Sequence, residues 1–241
     1  MTDFTATLRA LHHGRLPDDP LILPGPWDAG TARVLADAGF PALATPSAGI
    51  AMSLGVADGE VPADEMFAAV ARIARAVPVP VSADLEDGYG LPPAELVERI
   101  LESGAVGCNL EDTDRRTGRL VDPHEQADRL AAVRAAAGDA LFVNARVDSY
   151  LRDAPEGDAQ ERARLYAAAG ADCVFPIFAP PERLAEIAEA SGLPVNALCR
   201  GGECVPAELG ELGATRITFG PWLYKRTMAG LGDLPAVLRP A

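Results

Sequence analysis

Short apolar runs alternate with longer amphipathic segments along the chain. Eight runs rich in aliphatic residues have the length and composition of strands, at 21–24, 42–45, 79–84, 106–111, 141–146, 172–177, 194–198 and 215–219. The segments between them carry apolar residues at helical spacing, as in ADEMFAAVARIARAV, PAELVERILESG, EQADRLAAVRAAAG and AQERARLYAAAG. Strands that alternate with helices indicate βαβ units and a parallel sheet.

Eight such units in 241 residues predict a (β/α)8 barrel, with a doubly wound open sheet as the second architecture. No linker or change of composition divides the chain, so we expect a single barrel domain over residues 1–241. Active sites of these barrels lie at the C-terminal ends of the strands. The residues that follow the apolar runs are therefore the candidates for function.

Carboxylates follow the third and fourth predicted strands. Asp84 and Glu86 come from VSADLE, and Glu111 comes from GCNLE. Alternate strand residues share a face, so Asp84 and Glu86 are expected to point the same way. Convergent carboxylates without His or Cys favour a hard cation such as Mg2+ or Mn2+. The alternative is that these acids cap helices and pair with arginines, and Asp87 is expected to face away and cap the next helix.

Other polar residues follow the remaining strands. Arg146, after the fifth strand, is placed either to hold a substrate carboxylate with two hydrogen bonds or to neutralise Glu111. The residues after the second strand are predicted to form a tight turn whose hydroxyl and N–H groups suit an anion. The three residues of that turn are Ser47, Ala48 and Gly49. Trp27 and Asn196, after the first and seventh strands, are further candidates for substrate binding.

The net charge and the hydropathy of the chain exclude several classes of binding partner. The formal net charge of −14 argues against nucleic acid and anionic membranes, because both bind basic surfaces. No stretch approaches the ~20 apolar residues of a membrane span, and the N-terminal segment lacks the apolar centre of a signal peptide. A small anionic substrate stays compatible with the acidic chain, since it responds to local charge.

The four cysteines form no disulfide framework, which favours a cytoplasmic location. Cys108 and Cys173 lie inside apolar runs and are expected in the core. Cys199 and Cys204 have C-x4-C spacing without a second ligand pair nearby, so a zinc site is disfavoured and Cys204 is expected in an exposed loop. The three histidines are expected at the surface rather than as catalytic bases: His12, His13 and His124.

Five segments, in order over about residues 22–225, resemble the isocitrate lyase / phosphoenolpyruvate mutase superfamily. They are GPWDAGTARVLADAGFPALATPSAGIAMSLGVADGE, VSADLEDGYG, GCNLEDT, NARVD and ELGATRITFGPWLY. Each short motif is unspecific alone, but the ordered combination is specific. The resemblance implies a Mg2+-dependent (β/α)8 barrel that makes or breaks a C–C or C–P bond next to a 2-oxo acid through an enolate. It also implies a homodimer or homotetramer in which the last helix packs on a neighbour.

The resemblance assigns roles to individual residues. The metal-site acids of the family fall on Asp84, Glu86 and Glu111, where the family often has Asp at the second position. The acid after the second-strand loop falls on Asp58, a candidate for orienting water or the metal shell. The arginine of the fifth strand falls on Arg146, so that the catalytic candidates are Asp58, Arg146 and Glu111.

The same comparison places the carboxylate-binding nest of the family on Ser47, Ala48 and Gly49. The chain departs from the family after the fourth strand. Lyases of the family carry a Lys-Lys-Cys-Gly-His loop there, whose Cys is the catalytic acid/base, and mutase-like members carry a longer loop with Lys, Asn and Ser. Here the segment is EDTDRRTGRLVDPHEQ, which is short and has neither Cys nor Lys. Its arginines either face an anionic substrate or form a solvated basic loop: Arg115, Arg116 and Arg119.

These observations favour a lyase- or mutase-like enzyme that acts on a small anionic 2-oxo or 2-hydroxy acid, or on a phosphonate analogue. One alternative is a metal-dependent C–C or C–P hydrolase or an oxaloacetate decarboxylase. Another is a barrel that binds a metabolite without catalysis, because the expected catalytic loop is absent.

Overall fold

The computed structural model describes residues 3–202 and 204–232, and its strands build a parallel barrel. The ten strands are β1 (Leu21–Ile22), β2 (Leu43–Ala44), β3 (Val81–Asp84), β4 (Gly107–Glu111), β5 (Thr113–Asp114), β6 (Arg119–Leu120), β7 (Phe142–Val147), β8 (Cys173–Pro176), β9 (Asn196–Leu198) and β10 (Arg216–Thr218). Eight of them correspond to the eight predicted runs. The other two, β5 and β6, pair antiparallel in a hairpin that follows β4.

The eight parallel strands close on themselves. Five pair in the order β2-β3-β4-β7-β8, and three pair in the order β1-β10-β9. The two sheets meet at a parallel bridge between Val174 and Val195, and again where the Ala44 N–H donates to the Pro24 carbonyl at 3.2 Å. The predicted (β/α)8 barrel is therefore confirmed, whereas the extent of one domain over residues 1–241 stays a prediction.

Helices cover the outside of the barrel. They are α1 (Phe4–Leu11), α2 (Ala29–Asp37), α3 (Ser47–Leu54), α4 (Ala63–Ala74), α5 (Pro93–Ser103), α6 (Pro123–Ala137), α7 (Asp158–Ala168), α8 (Leu184–Ser191), α9 (Pro206–Glu211) and α10 (Trp222–Gly232). The apolar spacing that predicts α4 places Met66, Val70 and Ile73 on its buried face. No described helix has the length and apolar character needed to cross a membrane.

Two apolar cores lie on the two sides of the strands. The larger one fills the space between the sheet and the helices and includes Cys108, and the smaller one fills the barrel interior and includes Cys173, as predicted for both residues. Helix α1 covers the N-terminal end of the barrel. A Cβ at Gly107 would lie 2.8 Å from Leu8 Cδ2, so only glycine lets Leu8 enter the interior there.

The surface location predicted for His12 is wrong. Helix α1 carries its ring under the barrel, where it stacks on Phe142 with 4.2 Å between ring centroids and is only 2% exposed. His12 Nδ1 lies 2.7 Å from the Leu8 carbonyl. Burial, and then the nearby Arg216 charge, lowers the pKa of His12 to about 3. His13 and His124 are exposed, as predicted.

A second correction concerns two of the cysteines. Cys199 and Cys204 form a disulfide, with their Cα atoms 5.6 Å apart. Cys204 is half-buried and carries no free thiol. The C-x4-C spacing therefore belongs to a short loop closed by a covalent bond, which spacing alone does not distinguish from a loop with two thiols.

Acidification is expected to destabilise the protein through His12. The imidazole of His12 binds a proton below pH 6.5 in the unfolded chain but only near pH 3 in the folded chain. The free energy of unfolding therefore decreases as the pH is lowered through that range. Between pH 7.5 and pH 5 the free energy of unfolding should fall by about 2 kcal/mol from this group.

Urea unfolding at both pH values measures this loss. His12→Leu should remove the histidine part of the pH dependence, and the exposed-site control His13→Leu should keep it. Identical pH dependence in the wild type and His12→Leu would contradict the assignment.

Candidate active site

The C-terminal mouth of the barrel opens into a cleft with two adjoining arms. The polar arm has a volume of about 400 Å³, and its lining includes Asp58, Glu60, Glu86, Glu111, Arg115 and Arg152. The apolar arm has a volume of about 260 Å³, and its lining includes Phe175, Ile177, Phe178, Leu198 and Pro221. Both arms are lined by Ser47, Asp58, Arg146 and Leu151, so the two spaces meet at these residues.

Asp84 lies at the end of β3 and faces the start of helix α3. Its Oδ2 accepts hydrogen bonds from Ser47 Oγ at 2.9 Å and from Ser47 N at 3.3 Å. Its Oδ1 is buried and has no hydrogen-bond partner in the described part of the chain. A buried oxygen without a donor is costly, so this atom is suited to a ligand that supplies positive charge.

The segment Ser47-Ala48-Gly49 is the first turn of a helix rather than the predicted tight turn. Helix α3 begins at Ser47, directly after Pro46, which provides no side-chain cap. The first N–H groups of a helix lack intrahelical partners and carry partial positive charge. The anion-binding character expected of the turn is thus provided by a helix N-terminus that points at Asp84.

Glu86 reaches the mouth from a strained turn. Both Glu86 and Tyr89 have left-handed backbones, with φ of 53° and 60°, a conformation that costs free energy and is frequent at functional sites. Glu86 Oε1 accepts from the Tyr89 hydroxyl at 3.3 Å, and its Oε2 lies 2.5 Å from Arg115 Nε. Burial raises the pKa of Glu86 to about 7; Arg115 opposes this shift and Asp84 adds to it.

The segment after β4 is a hairpin, which brings Arg115 to the cleft. Arg115 N donates to Asp87 Oδ2 at 3.1 Å, its guanidinium donates to the Gly59 carbonyl, and its Cζ lies 4.6 Å from the Tyr89 ring centroid. Asp87 thus anchors the hairpin, whereas helix α5 has no side-chain cap, so the predicted capping role is wrong. The other two hairpin arginines, Arg116 and Arg119, are exposed.

Arg146 joins two carboxylates at the end of the next strand. Its Nη1 lies 2.7 Å from Glu111 Oε2, and its Nε lies 2.6 Å from Asp148 Oδ1. Asp148 Oδ2 also accepts from Thr113 Oγ1 at 2.6 Å. Burial raises the pKa of Glu111, and the Arg146 charge opposes that rise. Of the two roles weighed for Arg146, neutralising Glu111 is the one seen in this structure.

A buried network behind Arg146 has no counterpart among the sequence predictions. Asp112 Oδ1 accepts from Asp148 N at 2.8 Å. Asp112 Oδ2 accepts from the Tyr166 hydroxyl at 2.6 Å and lies 3.1 Å from Arg162 Nη1. Arg162 also contacts Asp158 at 2.8 Å. Local sequence carries no signal for this network because Arg162 and Tyr166 lie on α7, about 50 positions from Asp112.

Three carboxylates were expected to converge on a cation, and the chain supplies much of the positive charge itself. Glu86 pairs with Arg115 and Glu111 with Arg146. Within residues 3–202 and 204–232, no three His, Cys, Asp or Glu side chains are grouped closely enough to hold a metal ion alone. The free Oδ1 of Asp84 and the raised pKa of Glu86 still fit an oxygen-ligated cation. Mg2+ keeps several waters, so more distant carboxylates can hold it through water.

The structure brings some other predicted residues to the cleft and leaves others outside it. Asp58 lines both arms and Ala48 lines the apolar arm. Gly49 is buried in α3, where a Cβ would lie 2.7 Å from Pro46 Cγ. Trp27 packs edge-on against Tyr224 at 5.3 Å and lines a separate surface cavity. Asn196 lies inside the barrel and donates to Thr218 Oγ1 at 3.0 Å.

Arg216 is a buried cation that the sequence analysis missed. Its side chain is fully buried in the barrel interior, and its Nη2 lies 3.4 Å from Asn109 Oδ1. Burial lowers the pKa of Arg216, and the negative charge of Asp84 is among the groups that oppose this shift. The apolar neighbours of Arg216 in ATRITF predict a core strand and contain no signal for a charge in its interior.

Nearly the full length of the chain matches a known protein family. A family model described as phosphoenolpyruvate phosphomutase matches residues 8–236. An uncharacterised protein of Mycobacterium tuberculosis (strain ATCC 25618 / H37Rv) is 36% identical over 217 residues, which span 89% of this chain and 81% of that protein.

Solved structures share the fold over nearly all of the chain. A protein from Burkholderia cenocepacia J2315 is 41% identical with a TM-score of 0.89, and the match covers 98% of this chain and 100% of that chain. A 2,3-dimethylmalate lyase, described as a PEP mutase/isocitrate lyase superfamily member, is 29% identical with a TM-score of 0.86, covering 99% of this chain and 88% of that chain.

Removing Arg162 is expected to destabilise the fold, because Asp112 would keep a buried charge without its cation. Arg162→Leu should lower the free energy of unfolding by about 3 kcal/mol. Arg164→Leu, an exposed arginine on the same helix, should change it by less than about 0.5 kcal/mol. Denaturant unfolding followed by circular dichroism measures both values, and equal stability of the two variants would show that the Asp112 pair does not support the mouth.

Proposed function

Because the chain belongs to the phosphoenolpyruvate mutase/isocitrate lyase superfamily, we propose that it makes or breaks a C–C or C–P bond next to a 2-oxo acid through an enolate. Relatives in this family are lyases and phosphonomutases, so the chain is an enzyme of the same kind. The observation that carries the proposal is the buried Oδ1 of Asp84, which has no hydrogen-bond partner among the described residues and belongs to a side chain that lines the cleft together with Ser47 and Arg146.

Asp84, Glu86 and Glu111 are the residues that would hold a Mg2+ or Mn2+ ion. A divalent cation bound there supplies positive charge that stabilises a developing enolate oxygen as a Lewis acid. Asp84 is the direct ligand in this proposal because its Oδ1 is free. Glu86 and Glu111 are held at the mouth by Arg115 and Arg146 and complete the site through water.

The substrate carboxylate is bound by the start of helix α3 and by Arg146. The first-turn amide of Ala48 offers a donor without an intrahelical partner, next to Ser47, whose hydroxyl and amide already donate to Asp84. A guanidinium has five N–H groups, and Arg146 directs three of them at Glu111 and Asp148. Two remain for a ligand in the cleft, in an orientation that its two carboxylate partners fix.

The hairpin after β4 limits which bond-cleavage reactions the site can catalyse. It lacks the Cys and Lys of the family loops, and it presents Arg115 to the polar arm instead. A cleavage that needs charge stabilisation and orientation, without an acid from this loop, is the reaction that fits it best. Asp58 lines both arms and is the candidate for orienting a water molecule. The homo-oligomer and the cytoplasmic location stay predictions.

Divalent-metal-dependent turnover is the expected result of a screen with small acids. The panel contains oxaloacetate, isocitrate, methylisocitrate, phosphonopyruvate and phosphoenolpyruvate, with pyruvate and phosphate both followed. Asp84→Asn should lower turnover at least about 100-fold, because it removes the charged ligand that the cation requires. Asp64→Asn, an exposed acid on α4, is the matched control and should keep full turnover.

Turnover that resists EDTA, or that survives in Asp84→Asn, would contradict the proposal. The position of the label after reaction in 18O-water separates a lyase from a hydrolase. Only a hydrolase places the water oxygen in the acid formed at the cleaved bond, which is a carboxylate after C–C cleavage and phosphate after C–P cleavage.

A further inference from the structure

We infer that the substrate is a 2-oxo or 2-hydroxy acid that carries an uncharged alkyl substituent, and that this substituent occupies the apolar arm of the cleft. The inference rests on the proposed function, which places the acid at the meeting point of the two arms. It adds the chemical class of the group attached to that acid.

The division of the mouth into two unlike halves is the first observation. The carboxylates and arginines of the polar arm follow β3, β4 and β7. The apolar arm lies at the ends of β8, β9 and β10, where Phe175 and Ile177 are buried walls and Leu198 is half-buried. A ligand anchored at Ser47 and Arg146 therefore has a charged surface on one side and a hydrocarbon surface on the other.

The charges that line the apolar arm lie at its entrance. Of the described residues in its lining, the charged ones are Asp58, Asp84 and Arg146. Asp58 and Arg146 also line the polar arm. Asp84 accepts a hydrogen bond from Ser47, and Ser47 lines the polar arm too. A carboxylate or phosphonate placed against the walls formed by Phe175, Ile177 and Leu198 would lose water without gaining a charged partner, which is costly.

Three uncharged polar side chains of the apolar arm each accept a hydrogen bond from within the protein. Thr45 Oγ1 accepts from Asp84 N at 3.2 Å. Asn109 Oδ1 accepts from Asn144 Nδ2 at 2.8 Å. Thr218 Oγ1 accepts from Asn196 Nδ2 at 3.0 Å. These three oxygens thus have partners, and hydrocarbon side chains make up most of the remaining surface that a substituent meets.

Phe178 is the second, independent observation. This bulky residue has a left-handed backbone with φ of 60°, although only small or polar residues adopt that conformation readily. Phe178 is nonetheless 37% exposed, so the burial of its ring does not offset the free-energy cost of the strained backbone. A strained backbone that holds an aromatic ring at the rim of a cavity indicates a binding function. Arg200 stacks on this ring at 4.9 Å and lines a neighbouring cavity, which Phe178 and Leu198 line as well.

Binding of N-alkyl oxamates tests the inference without requiring turnover. Oxamate is a stable 2-oxo acid analogue, and its amide nitrogen carries the alkyl chain. Isothermal titration calorimetry with Mg2+ present would give dissociation constants for oxamate and for its N-methyl, N-ethyl and N-propyl derivatives. N-oxalylglycine, in which the substituent ends in a carboxylate, is the charged counterpart.

Each added methylene should tighten binding about four-fold, the effect of burying one such group. N-oxalylglycine should bind at least ten-fold more weakly than N-propyl oxamate. Phe178→Asn should flatten the dependence on chain length, since Asn tolerates the left-handed backbone but removes the apolar surface. Leu198→Ala, in the opposite wall, should also flatten it. Leu212→Asn changes an exposed apolar residue that lines the neighbouring cavity but not the apolar arm, so it should leave the dependence intact and shows that the alkyl chain does not enter that cavity.

The outcomes separate this inference from the proposed function. Oxamate that binds with no gain from longer chains overturns the alkyl substituent and leaves the proposed function standing. Tighter binding of N-oxalylglycine than of N-propyl oxamate overturns it as well, and indicates a charged group that reaches the arm. Failure of oxamate to bind at all removes the 2-oxo acid site itself, and with it both proposals.

Discussion

The ion pairs of Arg146 with Glu111 and Asp148 are the interaction on which the mouth of this barrel depends. Parallel strands place their carboxyl ends side by side, so the carboxylates of neighbouring strands repel one another in a partly dry space. A single guanidinium, buried between Glu111 and Asp148, offsets this repulsion at 2.7 and 2.6 Å. Asp148 is held in turn by Asp112, whose own charge meets Arg162. Each acid in this chain of contacts therefore has a partner that compensates its burial.

Asp84 differs from the other acids at the mouth, and the difference explains its proposed role. Glu86 and Glu111 face arginines, whereas Asp84 faces the start of helix α3 and has one oxygen without a partner in the described part of the chain. Partial charges of helix N–H groups are weaker than a guanidinium charge, so they hold the carboxylate without satisfying it fully. In the proposed function this arrangement gives a substrate anion and a cation adjacent places, as stabilisation of an enolate requires.

The hairpin after β4 replaces a catalytic loop with a cation. Arg115 lies against Glu86, Tyr89 and Gly59, and Asp87 fixes its backbone. The hairpin therefore closes one side of the polar arm with positive charge, while hydrocarbon side chains close the opposite side of the cleft. Charge on one wall and apolar surface on the other restrict the ligand more than the total charge of the chain does.

The sequence alone determined the eight strands, the helices between them and the end of the barrel that carries Asp84, Glu111 and Arg146. Those features follow from local periodicity, and the placement of strand ends follows from parallel pairing. Only the tertiary structure decided which charged side chains form ion pairs with one another. Arg115 with Glu86, Arg162 with Asp112 and the buried ring of His12 all depend on segments distant in sequence. Burial, which sets the cost of a charge and the need for its partner, exists only once the chain has closed around it.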